Sequence, residues 1–249
     1  MALVKTYLNS AYWSSATSAP TLASVSLNTG DLLVAFCLQD APFAGRSVSS
    51  ATWGASGLTS AIELVGSGGA PYDWIAGAAY YLQAGSTASN TITFNLSGNA
   101  AKGVIAAYKF TGFDTGTPIG DTDSSMTATE AQSLTLSGSA GDIALYGVTN
   151  AYSFADRWVE VNNSTTEDFN NDPRPGSSGP PKIAVGSKDF SGSSCTLGFT
   201  SRGFDAGPID VAWEKLAIGL VIKAAAGGGG SAVPVFMHSY QRRRSGLLV

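Results

Sequence analysis

Over most of its length the chain alternates apolar and polar residues with a period of two, as strands with one buried and one wetted face do. Ile92, Phe94 and Leu96 alternate with Thr91, Thr93 and Asn95, and Leu134 and Leu136 alternate with Ser133, Thr135 and Ser137. Val104, Ala106, Tyr108 and Phe110 share one face of a third segment; Leu216, Ile218, Leu220 and Ile222 share one face of a fourth. The run Leu32 to Leu38 is apolar throughout, which predicts a strand covered on both sides. Turn signals separate the runs: Asn28-Thr29-Gly30-Asp31, Ser97-Gly98-Asn99, Asp114-Thr115-Gly116 and Ser139-Ala140-Gly141-Asp142. No segment keeps a helical period with proper caps. The pattern predicts an all-β protein, an antiparallel β-sandwich of jelly-roll-like type over residues 1–225, with a short C-terminal tail over 226–249.

The pattern also echoes itself. "SLNTGDLLVAFC" from Ser26 and "TLSGSAGDIALYGV" from Thr135 each read as an alternating strand, a Gly-Asp turn and a strongly apolar strand. Trp53 and Trp158 follow at similar removes; Ala76–Leu82 and Ile183–Phe190 come next, then Val104–Phe110 and Leu216–Lys223. The expectation is two matching halves that contribute strands to one double-sheet jelly roll.

Two stretches break the rhythm. Asn162 to Pro181 has four prolines and almost no apolar residue, which predicts a long exposed loop. The second is Ala224 to Ser231, a glycine tether by composition, which leads into Val233, Val235, Phe236, Met237 and Tyr240 and then Arg242, Arg243 and Arg244. A disposable tail has no use for so many apolar side chains, because exposing them costs solubility. An apolar anchor after a flexible tether suggests a segment that docks on a partner subunit or a neighbouring copy, with the arginines pairing acidic groups there; the alternative is that Val233 to Tyr240 folds back on its own sandwich as a last strand.

Composition narrows the class. Charged residues make up only 13% of the chain, about half the usual globular share. The wetted faces must therefore be built from Ser, Thr, Asn and Gly. The formal net charge of −4 speaks against a nucleic-acid partner, which would demand a basic face. No apolar run reaches membrane-spanning length, and no secretory leader is read before Lys5, so synthesis in a cytoplasm without membrane insertion is expected.

The chemistry is sparse. Cys37 and Cys195 lie inside apolar runs and read as buried thiols, and His238, the single histidine, lies in the tail. No nucleophile elbow and no phosphate-cradling loop occurs, and Glu63, Glu160 and Glu214 show no paired spacing, so no catalytic residue, cofactor site or metal site is assigned. Asp121/Asp123 and Asp168/Asp172 have the clustering that can hold Ca²⁺, and equally that of ordinary Asx turns. Aromatic residues near turn-like sequence, Trp13, Tyr72 and Trp74 foremost, are candidate platforms for a host-surface glycan; Tyr12, Tyr152 and Phe154 belong to the same group.

Several segments carry a resemblance: "GDLLVAF" at Gly30–Phe36, "AAYYLQAGSTASNTITFNLSG" at Ala78–Gly98, "VIAAYKFTGFDTGTPIGD" at Val104–Asp121, "GDIALYGV" at Gly141–Val148 and "AIGLVIKAA" at Ala217–Ala225. They look like a family of β-sandwich proteins common among tailed-bacteriophage structural proteins and some bacterial surface proteins. "VPVFMHSYQRRR" resembles short C-terminal tails of phage structural proteins. The resemblance implies a jelly-roll-like fold and a place on the virion, as a head decoration or a tail or fibre component. Its partners would be other virion structural proteins and further copies of itself. It transfers no catalytic residues. A receptor- or carbohydrate-binding module is the alternative expectation.

Overall fold

The computed structural model describes residues 2–40, 46–66, 75–127, 131–150, 157–162, 165–170, 183–203 and 215–226. The first half of the chain forms β1 (Val4–Trp13), β2 (Thr21–Leu27), β3 (Leu32–Asp40), β4 (Val48–Trp53), β5 (Ser56–Gly57), β6 (Thr59–Val65), β7 (Ile75–Gln83), β8 (Ala88–Leu96) and β9 (Lys102–Thr111). The second forms β10 (Ile119–Thr127), β11 (Ala131–Ser137), β12 (Ile143–Asn150), β13 (Arg157–Asn162), β14 (Thr166–Asn170), β15 (Ile183–Asp189), β16 (Ser194–Gly203) and β17 (Lys215–Ile222). No helix occurs among the described residues.

The strands assort into four antiparallel sheets, ordered β1-β9-β3-β7-β6, β2-β8-β4-β5, β10-β17-β12-β15-β14 and β11-β16-β13. The third order repeats the first, and the fourth repeats the second without the short β5. In each half the chain crosses repeatedly between its two sheets, as a jelly roll does. The all-β, sandwich-type prediction therefore holds. The halves do not share one pair of sheets, however; each builds its own two-sheet sandwich.

Three apolar cores show how the sheets stack. One lies between the β1 and β2 sheets and holds Leu22, Leu33, Ile92, Phe94 and Ile105. Another lies between the β10 and β11 sheets and holds Leu134, Leu136, Tyr146, Leu197 and Phe199. The largest joins the halves: Leu32, Val34, Phe36, Leu38 and Tyr108 of the β1 sheet meet Leu145, Val185, Leu216, Ile218 and Leu220 of the β10 sheet. The result is four layers with the β1 and β10 sheets inside. That arrangement explains the unbroken apolar runs of β3, β9, β12 and β17, whose two faces enter different cores. Each fully buried Leu or Ile contributes about 1.5–3 kcal/mol, so the central layers dominate the stability.

Two glycines let those layers approach. A Cβ on Gly77 would fall 2.6 Å from Leu216, and one on Gly147 would fall 2.9 Å from Phe36. Large side chains of the opposite sheet occupy the space these positions leave empty.

Register shifts interrupt β1, β2, β4, β6, β10 and β14, whereas β3, β7, β9, β12, β15 and β17 pair with one another without one. Bulges at a sheet's margin twist it away from further strand addition. The strand β14 corrects the expected loop: residues 166–170 pair with β15, because Phe169 packs on the central core. The body closes at its end by joining its halves. Phe113 bridges Ala224, and the amide of Ala225 donates to the Gly112 carbonyl at 3.0 Å, just before the glycine run.

Candidate functional site

The predicted anchor residues Val233, Val235, Phe236, Met237, Tyr240, Arg242, Arg243 and Arg244 lie outside the described residues, as do Tyr72 and Trp74. Trp13 is described. It ends β1, half-buried, and its indole Nε1 donates to the Ala100 carbonyl at 3.3 Å. A Cβ on Gly103, its cross-strand partner, would collide with the ring. The indole thus plugs one end of the first sandwich, and its neighbour Tyr12 is the more open aromatic at 39% exposure.

Of the carboxylates that the sequence singles out, Asp121, Asp123 and Glu63 serve backbone amides, while Asp172 and Glu214 lie outside the described residues. Asp121 and Asp123 on β10 accept from the Ser137 and Thr135 amides of β11, at 2.8 and 2.9 Å. Their other oxygens accept from the Thr122 and Ser124 amides. The two side chains thereby stitch the margin of one sheet to that of the other. Glu63 accepts from the Val48 amide at 2.6 Å and does the same for β6 and β4. Among the described residues no three metal-ligating side chains converge.

The densest polar cluster lies between the halves, and the sequence reading did not assemble it. Lys5 Nζ of β1 sits 2.6 and 2.9 Å from the two Asp168 oxygens of β14 and 2.6 Å from Ser187 Oγ of β15. Lys5 and Asp168 are only 17% and 12% exposed, and Ser187 is buried. The ammonium lies 5.7 Å from the centre of the Tyr108 ring, and Tyr7 meets that ring edge-on at 5.4 Å. Burial, and then the Asp168 charge, push the Tyr108 phenol far above its ordinary range; its hydroxyl has no hydrogen-bond partner among the described residues. Alternation alone marks Lys5 as unusual, since a lysine on an edge strand normally points to water. Asp168 stood out only as a possible calcium ligand.

Both cysteines are free and buried. Burial raises each thiol's pKa and keeps it in the unreactive protonated form. In comparisons with known proteins, no family model, no curated protein and no solved structure matches this chain.

Proposed function

We propose that this chain is a structural component of a bacteriophage particle, displayed on its surface as a head decoration or a tail or fibre part. It would attach to neighbouring virion subunits through its C-terminal segment. The observation that carries this reading is where the body ends. Among the described residues the sheets run up to Ile222, and the last backbone bond along the chain is made by Ala225. Four glycines at 227–230 follow at once, and then the apolar Val233–Tyr240 segment and its arginines. Apolar side chains strung after a glycine tether suit docking on another molecule, because exposing them to water costs solubility.

Further support comes from the way the body spends its polar groups. Carboxylates, an inward lysine and bulged margins go into holding four layers together, the property a particle coat requires. In the test, the full chain carries Phe236→Asp and Met237→Asp. The variant should keep its fold and lose incorporation into particles; normal incorporation would defeat the reading.

Exposed Tyr12 beside Trp13 favours the second reading, a module that binds host glycan. Glycan-array binding lost on Tyr12→Ala would support it.

A further inference from the structure

The junction between the halves is built to bring one amine against one carboxyl group. Glu167 pairs with Gly186 and Phe169 with Val185, so Asp168 is the extra residue of a bulge. A bulge re-aims a side chain, here across the junction onto β1. From the other side Lys5 points inward, held by contact with both Asp168 oxygens and Ser187 Oγ. The Tyr108 ring flanks the ammonium, and the buried Tyr108 hydroxyl is left without a hydrogen-bond partner among the described residues.

We propose that Lys5 and Asp168 condense into an intramolecular isopeptide bond that ties the first strand covalently to the second half. The ion pair holds as many protons as the neutral amine and acid. One proton passed directly from Nζ to the Asp168 oxygen 2.6 Å away therefore prepares both groups without an outside acid or base. The Nζ lone pair attacks Cγ, and the carbonyl electrons move onto oxygen. The tetrahedral carbon then expels its hydroxyl group, which leaves as water with a proton from Nζ, and the amide remains. One C–N bond forms, one C–O bond breaks, and nothing is oxidised or reduced. Fixed contact supplies the driving advantage, since well-oriented intramolecular partners react as if at about 10⁵–10⁸ M. Shielding the pair from solvent also slows the reverse hydrolysis. A covalent tie would suit a particle component, but the inference does not depend on that role.

Intact mass spectrometry of the purified full chain under denaturing conditions decides the matter. The expected mass is lower than the sequence mass by one water, with a branched proteolytic peptide joining Lys5 to Asp168. Lys5→Arg keeps the charge and the ion pair but offers no amine, and should show its full sequence mass. Asp168→Ala, which offers no carbonyl carbon to attack, should likewise show its full sequence mass. A wild-type chain at its full sequence mass overturns the proposal, and so does a lost water that persists in Lys5→Arg.

Discussion

Asp31 and Asp142 occupy the same place in two turns. Each carboxylate accepts from the amide three residues earlier, Asn28 at 2.7 Å and Ser139 at 2.8 Å, and each amide returns a bond to that residue's carbonyl at 3.0 Å. In both turns the intervening glycine, Gly30 or Gly141, has a positive φ, which costs a residue without a Cβ little. The next bonds match too: the Ala84 amide reaches the Asp31 carbonyl as the Phe190 amide reaches that of Asp142. The Gly-Asp echo in the sequence is therefore a repeated piece of structure.

Replacing either aspartate with alanine should destabilise the fold, because the turn amide of Asn28 or Ser139 loses its carboxylate acceptor. About 1–3 kcal/mol is expected for each. Asp142→Ala also removes the bond from the Ala224 amide at 2.8 Å, and Asp31→Ala also removes the ion pair with Lys109 at 3.6 Å. Urea unfolding followed by tryptophan fluorescence measures both.

The seam between the halves should tolerate no added bulk. Gly77→Val and Gly147→Val place side chains where Leu216 and Phe36 already sit, and each should lose about 1–3 kcal/mol. Removing the opposing bulk with Phe36→Ala should cost about 3–5 kcal/mol through the cavity left behind. Thermal unfolding of the three variants tests the seam; wild-type midpoints would contradict it.

Stability should fall on the alkaline side. Burial raises the pKa of Cys37, Tyr108 and Tyr146 in the folded chain. The unfolded chain therefore ionises first, beginning near the ordinary thiol value of about 8.5 and then near about 10 for tyrosine. Between those values and the raised folded ones the native state binds more protons, so stability is intact below the window and declines as pH rises through it. Denaturant midpoints across that range should drop steadily, and Cys37→Ala combined with Cys195→Ala should remove the first part of the decline.

Thiol reagents give a related check. Neither Cys37 nor Cys195 should react quickly in the folded protein at neutral pH, and both should react after denaturation. A fast-reacting thiol in the native state would mean that one of the two outer cores is open.

Much of the fold was legible because period-two alternation fixes which side chains go inward on strands such as β8 and β11. The doubly covered β3 was legible for the converse reason, an apolar run with no polar face. Its second cover was not: an apolar run says that both faces are buried without saying against what. That ambiguity hid the stacking of two separate sandwiches. The strand β14 was missed because only Phe169 in it is apolar, and pairing with β15 supplies the rest. The Trp53 and Trp158 match was misleading: Trp53 pairs with Ile92, but Val161, not Trp158, pairs with the corresponding Phe199. The Lys5–Asp168 contact joins residues 163 positions apart, beyond the reach of any local pattern.

The proposal of a particle component stands or falls on one measurement. Cells producing phage from a genome that encodes this chain are lysed, particles are banded by density gradient, and the chain is quantified by mass spectrometry against a major coat subunit. A fixed ratio to that subunit, retained through repeated banding, is the predicted result. Recovery of the chain only in the soluble fraction, with none on banded particles, would contradict it.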